Sequence, residues 1–166
     1  KRTGTVVMTR WNRGLAAVSL PEGLHLDSSR LQLAHWPRVI PGDIVVGTIY
    51  LHGGCKVHGE KQQIILRQLV AALKCIKLPF VVGGDWNMAP MTLASSGIPD
   101  ALSAKIVHPG TSTYHSGGSA SELDFFLISG ILAPAVVDCK AFDGSPVSKH
   151  PPVRLKFSTV VFSRNM

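Results

Sequence analysis

The strongest constraint on the fold is a change of period between residues 43 and 84. "DIVVGTIYL" is a nearly continuous apolar run that ends as a strand at Tyr50, as expected when both faces are covered. From Lys61 to Lys77 the spacing becomes helical. Ile65, Leu69, Ala72, Leu73 and Ile76 form one stripe, with Lys61, Arg67 and Lys74 off it. Leu78-Pro79 ends that helix, because a proline disfavours helical backbone in the residue before it. "FVVGG" follows as a second buried strand. Strand, helix, strand demands a crossover, so the chain is α/β and not all-β.

Elsewhere the pattern is strand-like. Residues 5 to 8 and 14 to 20 read as two strands joined by a basic turn at Arg10, Asn12 and Arg13, with Pro21 and Gly23 closing the second. A third strand covers Leu31 to Leu33, and Pro37 and Pro41-Gly42-Asp43 punctuate the residues between it and the long apolar run. Residues 89 to 122 are rich in Pro, Ser, Gly and Thr, with one short helix expected at Asp100 to Val107. "LDFFLIS", Ala135 to Val137 and Val153 to Phe157 complete the strands. There is no internal repeat or low-complexity tract, and residues 1 to 166 read as a single domain.

Composition narrows the partners. Apolar residues make up 45% of the chain, enough for a core, while charged residues are only 16%, low for a free-standing surface. The net charge of +7 and pI near 9.7 favour a polyanion such as nucleic acid. Cys55, Cys75 and Cys139 form no paired spacing, so a reducing intracellular compartment is expected. No apolar run reaches the length of about 18 residues that a transmembrane segment needs.

Three polar insertions sit at the ends of apolar strands: "GGDWN", "SELDFF" and "VSKHPPV". In a strand, positions two apart share a face, so Asp85 and Asn87 are expected to act together. The preceding glycines allow a close backbone approach or a sharp turn. Asp85, Asn87, Asp124 and His150 are the residue types that position a water and stabilise a leaving oxygen at a phosphate. A carboxylate beside a histidine fixes the imidazole's tautomer.

In this order, "VVGGDWN", "SELDFFLIS" and "SKHPPVRL" resemble the signatures of the endonuclease/exonuclease/phosphatase family. Those signatures run Gly-Asp-(aromatic)-Asn, Ser-x-(apolar)-Asp-(aromatic) and Ser-Asp-His-x-Pro-Val. "GTIYLHGG" is similar to the family's strand ending in Tyr, and Thr111 or Thr113 falls where the family often carries a threonine. The resemblance spans about Thr3 to Phe157 and is nearest to the nicking domains of retroelements. It implies a two-sheet α/β sandwich and a phosphodiesterase using Mg²⁺ or Mn²⁺ on nucleic acid. Asp85 and Asn87 would orient the attacking water and the phosphate. His150 would contact the scissile phosphate, Asp124 would hold His150, and Tyr50 would place its phenol nearby.

Two departures from the pattern bear on activity. The family's first strands carry an Asn and a metal-binding Glu, and no counterpart precedes "TGTVVMTRW"; Glu22 lies after it in a Pro-Gly turn. The sandwich is therefore expected to be partial, with a protein partner covering an open N-terminal flank. Lys149 stands where the family has the Asp of Ser-Asp-His. A unit charge pair at ~5 Å and an effective dielectric of ~20 is worth roughly 3 kcal/mol, so the reversal opposes a divalent cation unless the lysine swings into solvent. The alternative expectation is a catalytically inactive relic that serves as a binding or structural subunit.

Other constellations carry less. "HGGCKVH" spaces His52, Cys55 and His58 three apart, but three ligands in a glycine-rich loop make a zinc site a weaker reading than a loop entering a helix. Arg2, Arg10, Arg13, Arg30 and Arg38 gather in the first quarter, suited to a phosphate backbone or to an acidic protein surface. Trp11 and Trp36 lack the spacing of a stacking platform.

Overall fold

In the strand–helix–strand unit, Val45 and Ile49 on the first strand and Phe80 and Val82 on the second are all buried. They form one wall of the core, and the helical stripe of Ile65, Leu69, Ala72 and Leu73 packs against it. The computed structural model describes residues 7, 14–40, 42–142 and 149–158, with the backbone alone at 39 and 40. The expected strand at residues 5 to 8 lies, apart from Val7, outside the described residues, as do Arg2, Arg10, Trp11 and Arg13.

In chain order the strands are β1 (Ala16–Ala17), β2 (Leu31–Ile40) and β3 (Gly42–Tyr50), followed by helix α1 (Glu60–Ile76) and β4 (Phe80–Asp85). Two short helices, α2 (Pro90–Ala94) and α3 (Ile98–Ala101), lead to β5 (Ala104–Val107) and the hairpin β6 (Tyr114–Ser116) and β7 (Ser119–Ser121). Strand β8 (Asp124–Ser129), a 3-10 turn (Gly130–Ala135), β9 (Val136–Ala141) and β10 (Val153–Phe157) follow. The main sheet runs β1-β2-β3-β4-β8-β5. Only β3 and β4 are parallel, which is why the helix stands between them. The β9–β10 pair lies over β8 on the face away from α1, as the lesser second layer of an α/β sandwich.

Helix α1 is closed by Lys77 in the left-handed conformation (φ 57°), whose N–H donates to the Leu73 carbonyl at 3.1 Å. Its buried face also carries a polar residue. Gln62 is fully buried and clasps His52 twice: its Nε2 donates to the His52 carbonyl at 3.0 Å, and its Oε1 accepts the His52 N–H at 2.9 Å. The glycine-rich loop after Tyr50 is thereby tied to the helix it enters.

The two glycines of β4 have separate reasons. Gly83 leaves room for the Phe126 ring, which a Cβ would meet. Gly84 has φ 150°, and a Cβ there would strike the backbone carbonyl of Ile49 on β3. Gly84 thus serves a close backbone approach, Gly83 makes room for a ring, and neither makes a sharp turn.

Several expectations need correction. Strand structure at residues 14 to 20 shrinks to Ala16–Ala17. Strand β2 runs well past Leu33 and through Pro37, because the ladder with β3 shifts between Trp36 and Ile40 and frees the proline from donating. The helix expected over Asp100 to Val107 stops at Ala101. Ser103 turns left-handed (φ 49°), and Ala104 to Val107 then pair antiparallel with β8, burying Ala104. Gly130–Ala135 forms a 3-10 turn, so the strand expected from Ala135 starts at Val136.

Candidate active site

Backbone pairing alone lines up most of the site. Tyr50, the last residue of β3, pairs with Asp85, the last of β4, and Asp85 pairs with Asp124, the first of β8. Paired residues share a face, so a phenol and two carboxylates emerge side by side at one edge. Asp85 and Asp124 are 14% and 19% exposed, open enough for a ligand and shielded enough to feel each other.

Asn87 joins them by a route other than strand alternation. Strand β4 ends at Asp85, and Asn87 adopts the left-handed conformation (φ 48°) that asparagine tolerates better than most residues. Its backbone N–H donates to Asp85 Oδ1 at 2.9 Å, and its Nδ2 donates to the Leu51 carbonyl at 2.8 Å. The turn is anchored by Trp86, which is fully buried, stacks on Phe125 with centroids 5.3 Å apart, and donates from Nε1 to the Phe125 carbonyl at 3.0 Å.

His150 arrives from the far end of the chain. Its Nδ1 lies 2.9 Å from Asp124 Oδ2 and its Nε2 lies 3.9 Å from Asp85 Oδ2. The Asp124 Oδ2 accepts a hydrogen bond from Nδ1–H, which leaves Nε2 facing the second carboxylate. One ligand atom from each of Asp85, Asp124 and His150 falls within 4.8 Å of the others. Among the described residues this is the group of three such side chains placed to hold a metal ion.

The hairpin β6–β7 clasps this arrangement at three successive residues. Thr113, fully buried, accepts at Oγ1 from the N–H of Leu123 at 2.9 Å and of Asp124 at 2.8 Å. Of Thr111 and Thr113, it is Thr113 that bonds to the start of β8. Tyr114 packs its ring on the His150 imidazole, with centroids 4.8 Å apart and tilted by 47°. His115 donates its N–H to the Lys149 carbonyl at 3.0 Å. Sequence reasoning missed Tyr114 and gave His115 no role; the Gly117-Gly118 pair between two short runs was the available hairpin signal. His108, also left without a role, binds Glu122 Oε1 through Nδ1 at 3.0 Å, and the Gly110 N–H donates to the same oxygen at 2.7 Å. Together they close the loop below the hairpin.

Burial holds the Asp85 carboxyl above its ordinary range, and the Asp124 carboxylate adds to this; the Asn87 N–H and His150 pull the other way. The folded state therefore binds this proton more tightly than the unfolded chain does. Stability falls as pH rises from the ordinary value of 3.8 through the raised one, so the Asp85 charge destabilises the fold at neutral pH. Asp85→Asn keeps an acceptor for the Asn87 N–H and removes that charge. Without metal it is expected to melt a few degrees above the parent at neutral pH, the gap closing below pH about 4. Thermal melts across pH check this, and an unchanged or lower midpoint at neutral pH would contradict it.

Lys149 is exposed, so water and salt screen its charge from the neighbouring carboxylates. The reversal it introduces is therefore weaker than a fixed cation in that place would be.

No protein-family model and no curated protein matches this chain. Solved structures do. The endonuclease domain of TRAS1, a telomere-specific non-LTR retrotransposon, superposes with a TM-score of 0.66 at 14% identity, over 86% of this chain and 68% of that one. An AP endonuclease from Archaeoglobus fulgidus gives 0.64 at 21% identity, over 88% and 72%. The 3'-5' exonuclease NExo from Neisseria meningitidis gives 0.60 at 16% identity, over 88% and 70%. A mixed sheet with a second layer, matched by these three structures, is an α/β sandwich. Its fold is that of the endonuclease/exonuclease/phosphatase type.

Proposed function

We propose that this chain is a metal-dependent phosphodiesterase domain that acts on nucleic acid with Mg²⁺ or Mn²⁺. The observation that carries this is the convergence of Asp85, Asp124 and His150 within 4.8 Å. Two carboxylates and an imidazole are an oxygen-and-nitrogen donor set that suits Mn²⁺, and the carboxylates suit Mg²⁺. Two acidic groups in adjacent register, one of them already held above its ordinary range, are also an arrangement a cation relieves. Asp85 and Asp124 would hold the ion, with His150 at its side. The ion would neutralise charge on the phosphate.

The chain's own groups divide the remaining work. Asp85, steadied by the Asn87 N–H, orients a water and takes its proton as the water oxygen attacks phosphorus. The bond from phosphorus to the leaving sugar oxygen breaks on the opposite side, and that oxygen takes a proton from solvent. His150, fixed by Asp124 on one nitrogen and by Tyr114 on one ring face, presents Nε2 to a phosphate oxygen. Tyr50 places its phenol one strand away from Asp85. The net charge of +7 favours a polyanionic substrate.

Calorimetric titration with Mg²⁺ and Mn²⁺, followed by nicking of a supercoiled plasmid, tests the reading. Binding in the micromolar-to-millimolar range, with nicking lost in Asp85→Ala, is the expected result. A specific observation favours a second reading: Lys149 sits beside His150 where the family pattern has a carboxylate. In that reading the chain is an inactive structural or binding subunit of a larger assembly, held there by a protein partner. No metal binding and no nicking would select it. Lys149→Asp then asks whether the charge reversal alone silences the site.

A further inference from the structure

The pairing that aligns Tyr50, Asp85 and Asp124 extends one strand further. The Tyr50 N–H donates to the Arg30 carbonyl at 2.8 Å, so Arg30 is the next member of the same row. Its guanidinium lies over the Tyr50 ring at 4.7 Å from the centroid, and Nη1 reaches the Tyr50 carbonyl at 3.4 Å. These contacts hold the stem and one face of the fork but engage only one of five N–H donors. Among the described residues Arg30 makes no ion pair. The carboxylate on that flank, Asp27, already accepts from the Ser29 N–H at 3.0 Å and the Ser29 hydroxyl at 2.6 Å. Lys61 adds positive charge nearby, since it and Arg30 both press on His52, after burial, to lower its basicity.

We infer that Arg30 forms a second phosphate subsite, which binds a non-scissile phosphodiester of a nucleic acid strand lying along the row from Asp124 past Tyr50. The inference rests on the nucleic-acid reading of the site and deepens it. A half-buried, preorganised guanidinium whose other N–H donors have no partner among the described residues matches a phosphate's two oxygens in a way a mobile surface lysine does not. The spacing fits as well. Neighbouring strands stand about 4.8 Å apart, so Arg30 lies about 10 Å from Asp85. At a rise of about 3.4 Å per nucleotide, a strand covers that distance in about three steps. A mononucleotide or small phosphate ester held at Asp85 and His150 would not reach Arg30. The subsite therefore selects for polynucleotides.

The test is equilibrium binding of fluorescently labelled DNA and RNA duplexes in EDTA, where no cleavage intervenes, across a series of KCl concentrations. Arg30→Met keeps an apolar stem over Tyr50 and removes the charge, while Arg30→Lys keeps the charge without the fork; thermal melts show which variants remain folded. The expected result is about tenfold weaker binding by Arg30→Met, with the slope of log K against log [KCl] reduced by about one. A methylphosphonate scan adds position. One uncharged linkage, about three nucleotides from the scissile one, should weaken the parent about tenfold and leave Arg30→Met unaffected. If the parent binds but Arg30→Met, folded, keeps the same slope and the same sensitivity at every linkage, the subsite is wrong and the nucleic-acid reading stands. If the parent binds neither duplex at low salt, both are wrong.

Discussion

Asp124→Ala is expected to lower metal-dependent strand cleavage by about 10³-fold or more, while melting within a few degrees of the parent. The large effect comes from the two positions this carboxylate holds. It is the 2.9 Å partner of His150 Nδ1, and it is one of the three groups that converge within 4.8 Å. Removing it frees the imidazole to change tautomer and rotate, and takes a charged donor from the cation site. The small effect on folding comes from the backbone, because the Asp124 N–H keeps its bond to Thr113 Oγ1 in the alanine variant. Loss of the neighbouring charge should also bring the Asp85 carboxyl down toward its ordinary range, since Asp124 is one of the groups raising it. Plasmid nicking rates and melting curves measured on the same preparations decide the matter. Near-parental cleavage would remove the Asp124–His150 pair from the chemistry.

The second large effect is on stability alone. Gly84→Ala would place a methyl group against the Ile49 carbonyl at a backbone φ of 150°, which side chains rarely adopt. The obstacle is the backbone of β3, in the middle of the sheet, so no side-chain rotation relieves it. Strain of this kind, added to the disruption of a central pairing, should destabilise the fold by about 3 kcal/mol or more. For a chain of this size that corresponds to a fall in melting temperature of about 6–12 °C. Gly97→Ala is a useful comparison. It also has positive φ, at 75°, but open space where the Cβ would go, so it should lose much less. Equal losses in the two variants would show that backbone preference, not the collision with Ile49, sets the requirement for glycine at 84.

The unequal legibility of the sequence has physical causes. The region from β3 through β4 was readable because its signals are local: an unbroken apolar run, a helical stripe, and Leu78-Pro79 between them. Asp85, Asn87, Asp124 and His150 were readable as one set because each sits where an apolar run ends, and the structure brings them together. Their geometry was less so. Asn87 meets Asp85 through a left-handed turn pinned by Trp86, a long-range contact that no two-residue periodicity encodes. Residues 104 to 107 became a strand because β8 offered an edge to pair with. The hairpin at Tyr114 to Ser121 was obscured by its brevity, since three-residue strands carry no measurable alternation. Gln62 illustrates the remaining limit: it falls on the buried face of the helix, but a glutamine adds nothing to an apolar stripe, and its place is legible only once the loop it clasps stands beside it.

The row of Arg30, Tyr50, Asp85 and Asp124 is a row of backbone partners before it is a row of side chains. Side chains change face at every residue of a strand. A slip of one residue in any of these three pairings would thus turn a polar group into the interior and an apolar one outward. The same alignment that fills the core is the one that builds the chemistry, and neither can be satisfied without the other. A reactive centre built this way fails safe. On the proposed nuclease reading, chains caught with a misaligned strand cannot assemble the centre, so misfolded copies are inert rather than indiscriminately destructive to the polymers around them.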